Sequence, residues 1–473
     1  MGEKMVISLP IVSMLFAIMI YYVDWTHLLK NFDKLQNIAC GYCAKMACSE
    51  ILLAGRARNS SIFSQELGQI PSFLFDIKIE SSQVICALIG TEKRAVAVLT
   101  LVGCSLINEN DDDSGNHQNA SLFMTSDDSQ WDALNLVPSC NPVNIDRNTR
   151  IQTAISHDIH HNSVQTETRA LLVIHCNKIV AQGYAPGYNI SSRFLGWSMT
   201  KTITNLLVGI RTGEGKMHYN DIVQGEVQVK HLMHMTDGLA FDEQYGMIGD
   251  PTVMLFLERN AAEYAARKTQ IYAPGTRFCY SSGATNILQR YLKSTFTNLS
   301  MYLDFPRKSL FARINATSFV MEVDASNTFI GSSFSYATTQ DWAKIGQLYL
   351  NRGVWNGEQV IPEEYFKSIK SQKDCSGGIY GSGWWFPADL SSNISAELDS
   401  TCILRSSIDK EYLRKALPFG SAVASGYRDQ LIIAVPQWDL VVVRLGFNWD
   451  KTLAEEFIAL LRKEYAPRNN EKN

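Results

Sequence analysis

Gly196-Trp197-Ser198-Met199-Thr200-Lys201-Thr202-Ile203-Thr204-Asn205-Leu206-Leu207-Val208-Gly209-Ile210 is the stretch on which the chain turns. Ser198 stands where a helix would begin, and Lys201, three residues on, shares its face. A serine hydroxyl is a poor nucleophile until a neighbour accepts its proton. A lysine can do so only when burial has lowered its pKa, and the apolar run from Ile203 to Ile210 is able to bury this turn. The helix N-terminus adds partial positive charge where an oxyanion would form. The plainer reading is an N-cap serine followed by a surface lysine. Ser-x-x-Lys alone is weak: it recurs as Ser407-Ile408-Asp409-Lys410, among Arg405, Asp409, Lys410 and Glu411, a solvated setting that could not hold a neutral amine.

A second element lies downstream. Ala273-Pro274-Gly275-Thr276-Arg277-Phe278-Cys279-Tyr280-Ser281-Ser282-Gly283 places Tyr280 and Ser282 just after a Pro-Gly turn. A tyrosine beside a buried lysine can act as base or proton shuttle, and Ser282 can hydrogen-bond within such a site. Tyrosine on its own usually serves packing.

Ser198-x-x-Lys201 together with Tyr280-x-Ser282 resembles the class C β-lactamase and penicillin-binding-protein family of serine hydrolases. Several flanking stretches are similar to the 6-aminohexanoate-dimer hydrolase branch. They are Gly196–Lys201, His234-Met235-Thr236-Asp237-Gly238-Leu239, Gly331-Ser332-Ser333 with Ala337–Trp342, and Val441–Gly446. The segment Cys48–Arg56 resembles the one that precedes the catalytic region in such hydrolases. The resemblance implies an α/β (α+β) fold of the β-lactamase-like, transpeptidase-like type: an antiparallel sheet flanked by helices, a helical subdomain, and a site between them. It implies Ser198, Lys201 and Tyr280 as catalytic residues. Ser282, Ser425, Gly426 and Tyr427 would line the substrate and oxyanion positions, with the backbone N–H groups of Ser198 and Tyr427 as the oxyanion donors. The third family motif falls on Ala424-Ser425-Gly426-Tyr427, where Ala424 replaces the Lys of Lys-Thr-Gly. That removes a cation for a β-lactam carboxylate and leaves Tyr280 to be tuned mainly by Lys201. Asp429, in Arg428-Asp429-Gln430, stands near a usual Gly and is expected to narrow the cleft or charge its rim.

The rest of the chain sets the context. With 473 residues it exceeds one small core, and 46% hydrophobic with 19% charged residues is ordinary globular composition. A net charge of −4 argues against a nucleic-acid surface. Met5–Val23 carries no charge and as a helix would span roughly 28 Å, near the hydrocarbon thickness. It reads as an uncleaved membrane anchor; the rival is a signal peptide, against which the bulky Ile18–Tyr22 end lacks a small-x-small cleavage pattern. Asn-x-Ser/Thr triplets start at Asn59, Asn119, Asn189, Asn298, Asn315 and Asn393, and with the leader they favour a lumenal or extracellular body, anchored or secreted. The ten cysteines fit that compartment. Cys40, Cys43 and Cys48 lack the partners of a zinc site and read as buried thiols or a local disulfide. Asn108–Gly115 lacks the final glutamate of a calcium loop and reads as a solvated loop. His157, His160 and His161 read as a surface loop and His231 with His234 as structural, so no metal is expected.

Four parts are expected: 1–24 an anchor, 25–165 an N-terminal region, 166–466 the catalytic domain and 467–473 a tail. The N-terminal region holds a helix around Ala39–Ala54 and strands at Gln83–Ile89 and Arg94–Val102. Later strands are Ala170–His175, Lys178–Gln182, Gln430–Val435 and Leu440–Leu445, followed by an amphipathic helix at Leu453–Leu461. Trp197, Trp384 and Trp385 read as packing, though one of them could line the cleft. The expected activity is hydrolysis of a small-molecule amide or ester, with no metal or organic cofactor. Two rivals are a true β-lactamase or D,D-peptidase, which Ala424 disfavours, and a silent membrane-anchored binding protein on the same scaffold, which the full set Ser198, Lys201 and Tyr280 disfavours. Nothing in the sequence bears on oligomeric state.

Overall fold

A computed structural model describes residues 25–57, 72–107, 144–161, 167–246, 248–369, 375–376, 378–387 and 416–467. The leader Met5–Val23, Asn59, Asn119, Asn393, the Asn108–Gly115 stretch and Ser407 with Lys410 lie outside the described residues. No helix among the described residues is long and apolar enough to cross a membrane.

Two antiparallel sheets organise the chain. The first is a four-stranded meander: β1 (Phe75–Ile79), β2 (Gln83–Leu88), β3 (Arg94–Thr100) and β4 (Gly103–Ile107). The second is central and has seven strands. These are β5 (Glu167–His175), β6 (Lys178–Tyr184), β7 (Tyr380–Gly381), β8 (Trp384–Trp385), β9 (Ala422–Gly426), β10 (Gln430–Val435) and β11 (Leu440–Phe447), in the order β7-β8-β9-β10-β11-β5-β6. Its halves come from distant sequence, and β11 against β5 is the join, with Val443 opposite Leu172. Both strands are buried nearly throughout, because helices cover both faces of the sheet.

The covering helices can be placed from contacts. Ile155 and Ile159 of α2 (Ile145–His160) lie against Gly183, which pairs with Leu171. Gly346 of α5 (Thr339–Leu350) lies over Ile432 and Val441. Ile432 pairs with Val443, which pairs with Leu172. Leu171 and Leu172 are neighbours and point to opposite faces, so α2 and α5 sandwich the sheet. The closing helix α6 (Lys451–Tyr465) packs beside α2, tied by a bidentate Arg150–Glu464 pair. The segment that contains α3 (Thr200–Gly213) and α4 (Ser282–Ser294) forms a mainly helical layer between β6 and β7.

The N-terminal region is bolted to this body. Helix α1 (Trp25–Ala47) continues into a wider π-type turn, Cys48–Leu53, in place of one helix over Ala39–Ala54. Disulfides Cys43–Cys86 and Cys48–Cys104 tie it to the meander, while Cys40 is a buried thiol. These bridges reach strands rather than closing a local loop. Lys45 pairs with Glu322 at 2.6 Å, both fully buried, and Glu322 also accepts from Ser49 Oγ (2.8 Å) and the Cys104 N–H (2.7 Å). His157 and His160 lie on α2 and His161 caps it, which corrects the surface loop expected there: Asn144 caps the helix start and its apolar stripe docks on the sheet.

Candidate active site

Ser198 sits in a single 3-10 turn, Trp197–Met199, that leads into α3. Trp197 adopts φ 48°, a left-handed kink directly before the serine, and Ser198 stays partly exposed. Strand β9 closes against this turn. A Cβ on Gly426 would fall 2.1 Å from the Gly196 carbonyl oxygen, so only glycine allows the strand to approach so closely. The Ser425-Gly426 end of β9, with Tyr427 directly after it, is thereby brought beside the Ser198 turn.

Lys201 is 1% exposed, the second residue of α3 and three residues beyond Ser198. Its Nζ lies 2.9 Å from Ser198 Oγ, 2.9 Å from Ser282 Oγ and 3.1 Å from the Ser332 carbonyl oxygen. Burial lowers its pKa to about 8, against the opposing pull of Glu243. The Ser332 carbonyl is aimed by Asn286, which accepts from the Ser332 N–H (3.2 Å) and donates to its Oγ (3.1 Å). This accounts for the Gly331-Ser332-Ser333 stretch.

Tyr280 arrives on a segment pinned by the His234–Leu239 turn. The Met235 carbonyl accepts from the Cys279 N–H and the Thr236 carbonyl from the Gly275 N–H, both at 2.7 Å. Ser281 then caps α4 by accepting from the Ala284 N–H. The phenol stands against Tyr380 (ring centroids 5.5 Å, perpendicular) and Trp385 (5.3 Å). Trp385 therefore forms part of the site wall, while Trp384 packs on Tyr349. Burial holds the Tyr280 phenol well above its ordinary pKa; Tyr380 and Glu243 push the same way, and a hydrogen bond with Ser198 opposes them. The Lys201 Nζ lies over the Tyr280 ring, 4.8 Å from its centroid.

Glu243 was missed from the sequence. It lies in an irregular loop, yet it is buried and accepts from both the Ser282 N–H (2.6 Å) and the Ser282 hydroxyl (2.5 Å). Burial raises its pKa while Lys201 lowers it. Tyr245, two residues on, stacks on Tyr427 (5.7 Å, 15°). Asp429 is held at the far end of the same stretch, its Oδ2 accepting from the Trp449 N–H at 2.9 Å. Ala424 is fully buried in β9.

The remaining candidates are structural or exposed. His231 accepts from the Gln228 N–H through Nδ1, capping a short helix. Asn189 and Asn298 are exposed, and Asn315 is half-buried. Among the described residues no three His, Cys, Asp or Glu are grouped to hold a metal ion.

Comparison with known proteins bears on the fold and the family. Residues 160–364 match the family model Beta-lactamase. They form a β-lactamase-family domain. Among curated proteins, an uncharacterized protein of Alkalihalophilus pseudofirmus is 33% identical over 132 residues, 27% of this chain and 34% of that protein's length. The 6-aminohexanoate-dimer hydrolase of Paenarthrobacter ureafaciens is 22% identical over 280 residues, 50% of this chain and 69% of the relative. Two solved structures share the fold at a TM-score of 0.50. A Bacillus anthracis protein provisionally classed as a 6-aminohexanoate-dimer hydrolase is 18% identical, covering 64% of this chain and 81% of its own. A β-lactamase/D-alanine carboxypeptidase of Yersinia pestis is 16% identical, covering 68% and 99%.

Proposed function

We propose that this chain is a serine hydrolase that cleaves an amide or ester through an acyl-enzyme on Ser198. The observation that carries this reading is the arrangement around Lys201. A neutral amine has two N–H bonds and one lone pair. The Ser332 carbonyl can only accept, so it takes one N–H. The Ser282 hydroxyl gives its proton to Glu243, so its oxygen accepts the other. The lone pair is left facing Ser198 Oγ. Glu243 is thus a positioning residue: through Ser282 it sets the polarity of the network.

Chemistry follows from that polarity. Lys201 takes the Ser198 proton as Oγ bonds to the substrate carbonyl carbon. The oxyanion rests on the N–H groups of Ser198 and Tyr427, aided by the N-terminus of α3. Tyr280, protonated at rest, gives its proton to the leaving nitrogen or oxygen as the carbonyl bond to it breaks. The Lys201 proton then restores the phenol. Water attacks the acyl-serine by the same steps in reverse, releasing the acid. The 6-aminohexanoate-dimer hydrolase relative and the buried Ala424, which offers no cation for a β-lactam carboxylate, favour an amidase or esterase over a β-lactamase. Fluorophosphonate labelling is the test: the natural chain should label and Ser198→Ala should not. Equal labelling of both removes Ser198 as nucleophile.

We also propose that the body works outside the reducing cytosol, held by its N-terminal segment at a membrane and glycosylated at Asn189 and Asn298. The disulfides Cys43–Cys86 and Cys48–Cys104 and the exposed acceptor asparagines Asn189 and Asn298 support this. A mobility shift on glycosidase treatment of the protein from its native membranes is expected; resistance to glycosidase would count against it.

A further inference from the structure

Helices α2 and α6 run side by side on one face of the central sheet and leave a groove of about 500 Å³ between them. The Ser198 turn belongs to the other face, where Gly196 lies against Trp342 of α5. The two helices are antiparallel and tied at both ends of the groove. Arg150 meets Glu464 at one end, and at the other the Trp449 ring N–H donates to Asp158 Oδ2 at 2.6 Å. From Arg150 to Asp158 the groove runs about 12 Å, at roughly 1.5 Å per helical residue. Ala154 and Asp158 line it from α2, and Leu453, Phe457 and Leu460 from α6, at the three- and four-residue spacing of a single helix face. Ala154 has no side chain beyond Cβ, which leaves the space between the helices open. An apolar groove of this size with few polar groups suits a small molecule.

Asp158 indicates what that molecule must carry. The residue is 4% exposed, and its Oδ1 is buried with no hydrogen-bond partner among the described residues. Buried carboxylate oxygens are nearly always paired, because leaving water without a replacement partner is costly. The rest of the lining does not supply the partner. Arg150, its permanent cation, is engaged in the bidentate pair with Glu464, and His157 stacks on His161. Glu456 adds a second carboxylate with no ion pair among the described residues. The groove therefore needs a positively charged hydrogen-bond donor. An ammonium meets a carboxylate in a short, charge-assisted bond, and the apolar lining shields a hydrocarbon chain from water. An anionic head group would be repelled by Asp158 and Glu456, and a neutral one would leave their charge unmet.

We propose that this groove is a second binding site, on the sheet face opposite Ser198, for an aliphatic chain that ends in a primary ammonium group. The ammonium takes Asp158 Oδ1, and the chain lies along Ala154 and Phe457 toward Arg150. The site does not depend on Ser198 being the nucleophile, and the experiment keeps the two apart.

The probe is octylamine carrying a photoreactive diazirine at its chain end. Irradiation with the full-length protein, followed by digestion and mass spectrometry, locates the adducts. They are expected on the α2 and α6 peptides and should be displaced by excess octylamine. They should also be at least about tenfold more abundant than with the alcohol or the carboxylic acid of the same chain. Asp158→Asn keeps an acceptor for Trp449 but loses the charge, and Ala154→Trp fills the groove without touching a hydrogen bond; each should remove the adducts. A thermal melt shows that the variants fold, and if Asp158→Asn does not, Ala154→Trp decides alone. Ser198→Ala should form the adducts as well as the natural chain does, while fluorophosphonate labelling reports on the serine separately. Adducts that the alcohol or acid forms equally well, or that persist in the folded variants, overturn the ammonium site. Adducts absent from both helices overturn the groove as a small-molecule site and leave it to another polypeptide. Adducts lost in Ser198→Ala overturn its separation from the catalytic residues.

Discussion

Lys45 and Lys201 are two lysines buried to the same degree and put to opposite use. Each is 1% exposed, and in each burial lowers the pKa while a glutamate opposes. Lys45 touches its glutamate directly, Nζ to Glu322 at 2.6 Å, and also donates to the Cys104 carbonyl. Lys201 meets its glutamate only through a hydroxyl, Ser282 standing between it and Glu243. A direct pair favours the charged form and fixes the proton where it is. An intervening hydroxyl weakens that hold and leaves an amine that can gain and lose a proton near neutral pH. The first arrangement joins two parts of the fold, and the second suits proton transfer.

The largest effect that separates the two falls on rate. Lys201→Met should lower hydrolysis and fluorophosphonate labelling by about 10²–10⁴-fold, the usual contribution of a general base. Its melting temperature should change little, because Lys201 sits among neutral acceptors and Met fills similar space. Stopped assays beside a thermal melt measure both. Unchanged labelling would break the contrast at once.

Lys45→Met should do the converse. It leaves Glu322 buried without its counter-charge, at a cost of about 3–5 kcal/mol in stability. Denaturant titration of the oxidised protein measures this loss. The fraction that remains folded should label at Ser198 as fast as the natural chain. A stable variant with slow labelling would mean that the junction shapes the site, which the separation of roles described here does not allow.

How far such differences are legible in sequence depends on where the information lies. Gln430–Val435 is visible as a strand because burial on both faces demands a continuous apolar run, and the observed bounds agree. Ser198 and Lys201 are visible because one helical turn brings them together, and Tyr280 because it follows a Pro-Gly turn. Glu243 is different. Asp242-Glu243-Gln244 has the look of a solvated loop, and only the packing of distant segments buries its middle member. The one local hint is Phe241 and Tyr245 on either side of it. Glu322 and Arg56 are hidden for the same reason, their partners lying far away in the chain. Strands β1 and β4 are short, at five residues each, and half-covered, too weak a period to stand out. The histidines of α2 mislead in the other direction, because a polar helix end resembles a loop until its isoleucines are seen against the sheet.

The smallest effect is the sharpest test of the comparison, because it alters the link and neither lysine. In Glu243→Gln the side-chain oxygen can still accept from the Ser282 N–H, but its amide now donates to Ser282 Oγ. The Ser282 hydroxyl must turn, and the nearest acceptor is the Lys201 lone pair, which is then drawn away from Ser198. A rate loss of roughly tenfold follows if this turn costs about one hydrogen bond, near 1.4 kcal/mol. The pH profile carries a second sign. Acylation requires neutral Lys201, so kcat/KM should rise with pH through about 8. The Glu243 carboxylate favours the ammonium, so its removal should move that rise to lower pH, leaving the variant slower at its plateau yet relatively better in acid. A merely structural glutamate would lower the plateau without moving the limb. A limb that stays in place would show that Glu243 holds a proton of its own at rest, and Lys201 would then owe its low pKa to burial alone.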